Sequence, residues 1–241
     1  MGISKEQALD CFRSDDLVGI GMEADAVRRR LHPEGVVSYA IDGVVDCASG
    51  RDLGAVCEAI GESVELGATG VRLLGVGDCE RVEARLRGIR KISPELWIEA
   101  LSAAEVRALA AGWGLGLRET LARLIDAGLD SIAGDGVDLA QGSVSEWVEV
   151  HRAAHGLGMR TTAEMIFGAE TIEARVGFLE AVRRLQEETD GFAAFAPVAA
   201  EAPNGRELDG VTAVERLKTL AIARMFLDNI ANAQASGRLK G

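Results

Sequence analysis

The chain has 241 residues, of which 48% are hydrophobic and 27% charged, and its formal net charge is −12. This apolar content is enough for one large or two small buried cores and excludes an intrinsically disordered chain. The negative charge repels phosphate backbones and argues against nucleic-acid binding, and no apolar stretch reaches the roughly 20 residues that a membrane span needs. The first residues, Met1–Gln7, show no signal-peptide pattern, so we expect a cytoplasmic protein.

The four cysteines, Cys11, Cys47, Cys57 and Cys79, include no Cys-x-x-Cys pair. Disulfides are not expected in a reducing compartment, and the spacing favours isolated thiols over metal ligands. On spacing alone we therefore predict no metal site at these cysteines.

The predicted elements alternate between helices and strands along the chain. Ser4 and Gln7 are spaced as a capping box for a first short helix, and a second helix is predicted over Glu23–Leu31, before Pro33. The predicted strands are Gly35–Ile41, Gly70–Leu74, Leu96–Leu101, Leu129–Ala133, Arg160–Phe167, Phe192–Pro197 and Ile230–Ala235. The predicted helices between them are Arg51–Leu66, Glu80–Lys91, two between Ser102 and Gly128, Ser143–His155, Thr171–Glu188 and Thr212–Leu227.

This order of elements predicts an α/β fold with a parallel sheet and helices outside it. Glu164 shares one face of the fifth strand with Thr162 and Ile166, because side chains alternate along a strand. In an open sheet that carboxylate would be buried under helices, whereas in a barrel it can face a polar cavity. We therefore predict a single domain over residues 1–241, a partial (β/α) barrel with six or seven strands preceded by two short helices.

Two short motifs are weak candidates for binding. Gly75-Val-Gly77 follows the second strand and precedes a helix, a position where backbone amides can approach an anion, and a tight turn without a ligand explains it equally well. His151 and His155 have the spacing of a metal-binding pair on a helix. Arg152 replaces the glutamate of zinc proteases, so we interpret both histidines as surface or helix-capping residues.

Acidic residues at strand ends are stronger candidates for chemistry. Glu99, Glu164, Asp135 and Asp138 lie in or just after strands, where barrel sites are built. Paired carboxylates can act as acid and base or hold a divalent cation. The two aspartates flank glycines and are also explained as solvated loop residues, whereas burying an uncompensated charge at Glu99 or Glu164 would be costly.

Eight segments of the chain resemble one known family. They are Leu31–Tyr39, Glu65–Thr69, Ala100–Ser102, Asp126–Ile132, Leu157–Ala163, Phe167–Gly168, Leu185–Phe192 and Leu220–Ile230. Together they resemble the cyclic dehypoxanthinyl futalosine synthase family of menaquinone biosynthesis, a radical SAM family related to aminofutalosine synthase and the deazaflavin-forming synthases. The resemblance implies a partial barrel that carries a [4Fe–4S] cluster and S-adenosylmethionine.

The chain departs from this family where the chemistry is done. Members place a Cys-x3-Cys-x2-Cys loop after the first strand, and here Asp42–Arg51 contains Cys47 alone. Glu99 stands where the family usually has a histidine, and Glu164 where it has a small polar residue. Asp135 replaces a glycine, the basic segment before Ser145 is largely missing, and the family's C-terminal region is absent.

Other positions agree with the family. Gly75 and Gly77 match the turn that contacts the amino-acid end of the cofactor, and Asp138 matches a family glutamate. The resemblance therefore implies cofactor binding at Gly75 and Gly77, and Thr162 is a further predicted cofactor contact. Glu99, Glu164 and Asp138 are the catalytic candidates because of their positions in or just after strands, and no metal ligands are predicted.

Three interpretations follow. The first is a descendant without the cluster, a non-catalytic partner of an active menaquinone-pathway paralogue that can still bind S-adenosylmethionine or a nucleoside-like ligand. The second is an enzyme with new, non-radical chemistry in which Glu99 and Glu164 hold a divalent metal. The third is retained radical chemistry with unidentified iron ligands, for which one cysteine is too few. We favour the first.

Overall fold

The computed structural model describes residues 2–47, 51–76, 79–134, 144–200 and 211–235, which belong to two compact units. The four-strand unit combines residues 37–133 and 149–161, and the three-strand unit combines residues 1–36, 134–148 and 162–241. The expected single domain stays a prediction. In the described ranges, no helix combines the length and the apolar character that crossing a bilayer requires.

Helices and strands alternate as the sequence predicts. The helices are α1 Lys5–Arg13, α2 Leu17–Leu31, α3 Leu53–Glu65, α4 Val82–Ile92, α5 Ala103–Trp113, α6 Leu117–Asp126, α7 Val144–His155, α8 Ile172–Thr189 and α9 Ala213–Phe226. The strands are β1 Asp42–Asp46, β2 Gly70–Leu74, β3 Trp97–Ala100, β4 Ser131–Ile132, β5 Thr161–Phe167, β6 Phe192–Ala199 and β7 Asn232–Ala233.

Side-chain caps define the starts of several helices. Ser4 with Gln7 forms the predicted capping box, and Ser102 with Glu105 forms another; in each, the serine accepts from a first-turn amide and the partner side chain accepts from the serine amide. Thr212 likewise accepts from the Glu215 amide at the start of α9. These caps were visible in the sequence because each depends on residues three positions apart.

The four-strand unit is built on a parallel sheet in the order β1-β2-β3-β4. One face of this sheet is fully apolar and buried: Val45, Val71, Leu73, Ile98 and Ala100. Helix α3 packs against β1, and α5 packs against α6. Burial of this face and alternation along the strands place Val44, Arg72 and Glu99 on the opposite face.

The first strand lies later in the chain than the sequence indicated. The apolar run Gly35–Ile41 was the predicted strand, but Val37 is 86% exposed and Tyr39 is 89% exposed. The sheet instead uses Asp42–Asp46, which pairs with β2 and buries Val45. The prediction was wrong because β-branched composition indicates extended backbone, whereas the pairing partner decides which extended residues enter the sheet.

Helix α2 is longer at its N-terminus than predicted. It begins at Leu17 rather than Glu23, because the Asp16 carboxylate accepts from the Gly19 amide and caps the helix. The glycines in its first turns obscured this start, since glycine lowers helix propensity.

The three-strand unit contains the sheet β5-β6-β7 and four helices that pack on one another. Helices α2 and α9 form its most extensive helix pair, and α1 contacts both α8 and α9. Trp147 lies at the centre of an aromatic cluster, 5.1 Å from the Phe178 ring and stacked 5.7 Å from the Phe192 ring. Its indole donates to the Gly134 carbonyl, so its polar edge is satisfied within this core.

Candidate functional site

The carboxyl ends of β1 and β2 form the best-defined candidate site. Parallel strands end at the same edge of a sheet, and that edge carries the ligand sites of α/β proteins. Gly75 follows β2 with a left-handed φ of +58°, a conformation that glycine adopts without strain. Gly77 and the predicted residues Asp135 and Asp138 lie outside the described residues, so their roles remain predictions.

Arg85 holds this edge together. Its guanidinium donates to the Val76 carbonyl at 2.7 Å and to the Arg51 carbonyl at 3.2 Å, so one side chain from α4 connects the turn after β2 with the start of the α3 segment. Sequence reasoning missed Arg85 because an arginine in an amphipathic helix normally indicates a solvated face.

Cys47 extends β1 rather than forming a ligand loop. Its amide donates to the Leu74 carbonyl at 2.8 Å, and the residue is buried. Burial raises the pKa of the Cys47 thiol, an effect that the nearby Arg85 cation opposes without reversing. The thiolate is the form that ligates metals, so this environment disfavours ligation.

Glu99 has a counter-ion in the neighbouring strand. Register pairs Glu99 with Arg72, and the Arg72 Nε atom lies 2.5 Å from Glu99 Oε1. The Glu99 carboxylate is therefore compensated by an ion pair, so the cost of burying an unpaired charge does not apply to it, and its catalytic role stays a prediction. A guanidinium at this distance also competes with a divalent cation for the carboxylate, which counts against a metal site there. Trp97, two residues earlier in β3, is half exposed on the same face.

Glu164 and Thr162 lie on β5, in the three-strand unit. Glu164 is buried and its amide donates to the Gly134 carbonyl at 3.2 Å, whereas Thr162 is half-buried. A Cβ atom at Gly134 would lie 1.9 Å from the Thr162 carbonyl oxygen, so glycine is required for this close approach. Glu99 belongs to the four-strand unit and Glu164 to the three-strand unit.

The two helix histidines are buried, which corrects the expectation of surface or capping residues. His151 Nδ1 and His155 Nε2 each lie 2.9 Å from the Thr161 Oγ1 atom, within the four-strand unit. Burial lowers the pKa of His155 to about 4 and holds the pKa of His151 well below its usual value, although the helix C-terminus would favour a charged His155. The Nδ1 atom of His151 and the Nε2 atom of His155 therefore share the Thr161 hydroxyl as a hydrogen-bond partner. Across the described ranges, no cluster of three or more His, Cys, Asp or Glu side chains fits a metal ion.

A buried arginine network in the three-strand unit also escaped sequence reasoning. Arg175 on α8 donates to Glu170 at 2.6 Å and to Glu215 at 2.5 Å, and its guanidinium lies 5.0 Å from the centre of the Phe167 ring. Glu170 accepts from two backbone amides directly after β5. The network thus fixes the loop at the end of β5. Its members are separated along the chain, so no local motif could have indicated it.

Comparison with solved structures defines the class of fold. Methylornithine synthase (PylB) matches with a TM-score of 0.66 at 12% identity, over 95% of this chain and 75% of that protein. This likeness confirms the predicted fold class, α/β with parallel strands. No family model matches the chain.

Comparison with characterised sequences defines the family. The chain is 34% identical to cyclic dehypoxanthine futalosine synthase of Streptomyces coelicolor, over 97% of this chain and 69% of that protein. It is 31% identical to aminodeoxyfutalosine synthase of Thermus thermophilus, over 87% of this chain and 59% of that protein. The chain belongs to the radical SAM synthase family of the futalosine pathway. The first alignment spans 277 positions, more than the 241 residues here, so the relative has positions within the aligned region that this chain lacks.

The [4Fe–4S] cluster that this family implies does not fit the residues at the end of β1. Residues 47–51 are all that separate β1 from Asp52, the N-cap of α3, and a Cys-x3-Cys-x2-Cys motif is longer than this loop. Cys57 lies within α3, and burial raises the pKa of its thiol. Cys79 lies beside the Leu109 carbonyl of α5, and Cys11 lies in the three-strand unit. The donor set for a thiolate-ligated cluster is therefore missing.

Proposed function

We propose that this chain is a non-catalytic member of its family, which keeps the synthase scaffold and has lost radical chemistry. The observation that carries this proposal is the short connection between β1 and α3, which replaces the cluster-binding loop by a single buried thiol. Radical initiation requires electron transfer through a thiolate-ligated iron–sulfur cluster. Without that cluster the scaffold can bind a ligand or a partner protein but cannot start the family reaction.

Retention of the scaffold supports a binding role. The helix caps, the parallel ladder of the four-strand unit and the aromatic core around Trp147 are all intact. We propose that the chain acts in the menaquinone pathway as a partner of an intact paralogue, in the cytoplasm. All four cysteines are free, which is consistent with a reducing compartment.

S-adenosylmethionine or a nucleoside-like molecule is the proposed ligand of the retained scaffold. Arg85 holds the left-handed turn at Gly75 through the Val76 carbonyl. The resemblance to the family implies that this turn corresponds to the one that contacts the cofactor. Thr162 is the further predicted contact. Their role in binding is part of this proposal.

Anaerobic reconstitution with iron and sulfide tests the loss of radical chemistry. We expect the wild-type chain to retain no more iron than Cys47→Ser and to form no 5′-deoxyadenosine from S-adenosylmethionine under reduction. The positive control is a chimera in which residues 47–51 are replaced by a Cys-x3-Cys-x2-Cys loop, reconstituted in parallel with an intact synthase. Stable iron and sulfide in the wild-type chain, together with cofactor cleavage, would overturn the proposal.

Two binding measurements separate a partner from a ligand-binding protein. Size-exclusion chromatography with the intact paralogue should show co-elution and a change in that enzyme's activity. Calorimetry with S-adenosylmethionine should show heat that is reduced in Gly75→Val, because a β-branched residue disfavours a positive φ. The urea midpoint of this variant shows whether it is folded. If neither co-elution nor cofactor binding is found, the proposed role is refuted.

A further inference from the structure

The connection between β2 and α4 is held at two points, and only the first of them enters the proposed function. The first point is Val76, whose carbonyl accepts from Arg85 of α4 at 2.7 Å. The second point is Cys79, whose carbonyl accepts from the Trp113 indole of α5 at 3.0 Å. All four residues belong to the four-strand unit. Because Val76 and Cys79 are only three positions apart, fixing both carbonyls limits the paths that the chain can take between them.

The Cys79 side chain packs directly on α5. Its Sγ atom lies 3.9 Å from the Leu109 carbonyl oxygen. A Cβ atom added at Gly112 would lie 2.4 Å from the same sulfur, closer than packed atoms can approach each other. Helix α5 therefore needs glycine at this position to admit the thiol. The contact brings the end of the β2–α4 connection against α5, one residue before Trp113.

The Trp113 ring is itself held by a cation from the next helix. The Arg123 guanidinium of α6 lies 4.3 Å from the centre of the Trp113 ring, and it donates to the Glu83 carboxylate of α4 at 2.7 Å. The hydrogen bond from Arg123 lowers the pKa of Glu83, so both groups are charged at neutral pH. A guanidinium over an aromatic ring stabilises the stacked arrangement. The contacts that begin at Cys79 therefore return to the first turn of α4.

The indole nitrogen of Trp113 distinguishes this arrangement from simple packing. Trp113 is half-buried, so an aromatic ring without a donor, such as phenylalanine, would cover the same apolar surface and still lie under Arg123. The indole donor is instead directed at the Cys79 carbonyl, in the connection that follows β2. The donor thus fixes the backbone after the turn at Gly75.

We propose that Trp113 is a positioning residue for ligand binding at the Gly75 turn, acting through the Cys79 carbonyl, with Gly112 and Arg123 as its supports. This inference rests on the ligand binding that the proposed function assigns to that turn. A site that adopts its binding-competent geometry for only part of the time binds its ligand more weakly in proportion. Releasing Cys79 should therefore weaken binding, although Trp113 acts through the backbone and not by contact with the ligand.

Trp113→Phe tests the indole donor on the full-length chain. It keeps an aromatic ring under Arg123 and removes the hydrogen bond to Cys79. In calorimetry with S-adenosylmethionine, we expect the dissociation constant to rise about threefold or more, as for one lost hydrogen bond.

Arg90→Lys is the matched control for lost stability. Arg90 donates to the Leu96 and Gly128 carbonyls, which precede β3 and β4 at the opposite edge of the same sheet. The shorter lysine keeps the charge and loses the fork of donors, so the urea midpoint should fall. The dissociation constant for S-adenosylmethionine should stay at the wild-type value.

Gly112→Ala tests the packing of Cys79 separately from the indole donor. Its methyl group would displace the Cys79 sulfur, so we expect weaker binding of S-adenosylmethionine, whereas helix propensity alone would stabilise α5. A purely structural role would therefore leave the affinity unchanged. Cys79→Ala removes the sulfur, so the double variant Gly112→Ala/Cys79→Ala should recover most of the affinity.

Hydrogen exchange measures the same effect without a ligand. The backbone amides of the peptide that spans residues 74–82 should exchange faster in Trp113→Phe than in the wild type, because the Cys79 carbonyl has lost its donor. The same peptide should exchange at the wild-type rate in Arg90→Lys.

The outcomes separate this inference from the proposed function. No heat from S-adenosylmethionine with the wild type would refute the ligand turn and the inference together. Binding by the wild type that Trp113→Phe leaves unchanged, or that Arg90→Lys weakens equally, would refute the positioning role alone. Circular dichroism verifies folding, and if Trp113→Phe is unfolded, the loss in Gly112→Ala and its recovery with Cys79→Ala decide.

Discussion

Acidification from pH 6.5 to about pH 5 should destabilise the folded chain through His151 and His155. Both imidazoles contact the Thr161 hydroxyl and are buried, and burial lowers the pKa of His155 to about 4 and that of His151 well below its usual value. The unfolded chain binds protons at these positions near pH 6.5, whereas the folded chain does not. Stability is therefore present above that pH and is lost as the pH falls toward the folded-state value.

The magnitude follows from proton linkage. For each histidine that stays neutral in the folded state, the free energy of unfolding falls by ~1.5 kcal/mol between pH 6.5 and pH 5, so the pair lowers it by ~3 kcal/mol. Most carboxylates remain charged in this window, so histidine protonation dominates the pH dependence. A decrease of this size is a large fraction of the total stability of a typical domain.

Urea unfolding followed by circular dichroism at half-unit pH steps measures this effect. His155→Gln keeps an amide that can bond the Thr161 hydroxyl and removes the titrating ring, so its free energy of unfolding should fall less steeply with acidification, by about 1 kcal/mol per pH unit at the steepest point. His32→Gln is the control because it removes the third histidine, outside the pair, and should keep most of the slope. An equal slope in His155→Gln and the wild type would refute the reasoning.

Three further predictions concern stability, each measured as the urea midpoint at neutral pH. A Cβ atom added at Gly114 or at Gly61 would meet no atom within 4 Å, so the two sites differ in backbone conformation and not in space. Gly114→Ala should cost about 1 kcal/mol because φ is +65° there, whereas Gly61→Ala inside α3 should stabilise by about 0.5 kcal/mol or more. Equal effects on the urea midpoint would contradict the conformational argument. Gly134→Ala should cost more than about 3 kcal/mol, because its Cβ would lie 1.9 Å from a β5 carbonyl oxygen. A urea midpoint that is unchanged or raised, as expected for Gly61→Ala, would contradict the close approach. Arg72→Met should cost about 2 kcal/mol by depriving Glu99 of its guanidinium, and adding Glu99→Met should recover part of the loss; strict additivity of the two changes would contradict their coupling.

Patterns within short stretches of sequence account for what was predictable along the chain. The capping boxes at Ser4 and Ser102 depend on side chains three residues apart, and β2 was predicted with the bounds that the structure shows. Family membership was also visible, because eight segments carry it in order. All of this information lies within short stretches of sequence.

The pairs that define the candidate site join residues from different elements, which no local pattern encodes. The Arg72–Glu99 ion pair depends on the register between β2 and β3, and the position of β1 depends on which extended residues pair with β2. The burial of His151 depends on where Thr161 begins β5 against α7. Sequence alone determined the helix caps, the strand-helix alternation, the ancestry and the missing thiols. Only the tertiary structure decided which charges meet and which histidines are desolvated, because both depend on distances across the fold and not on spacing along the chain.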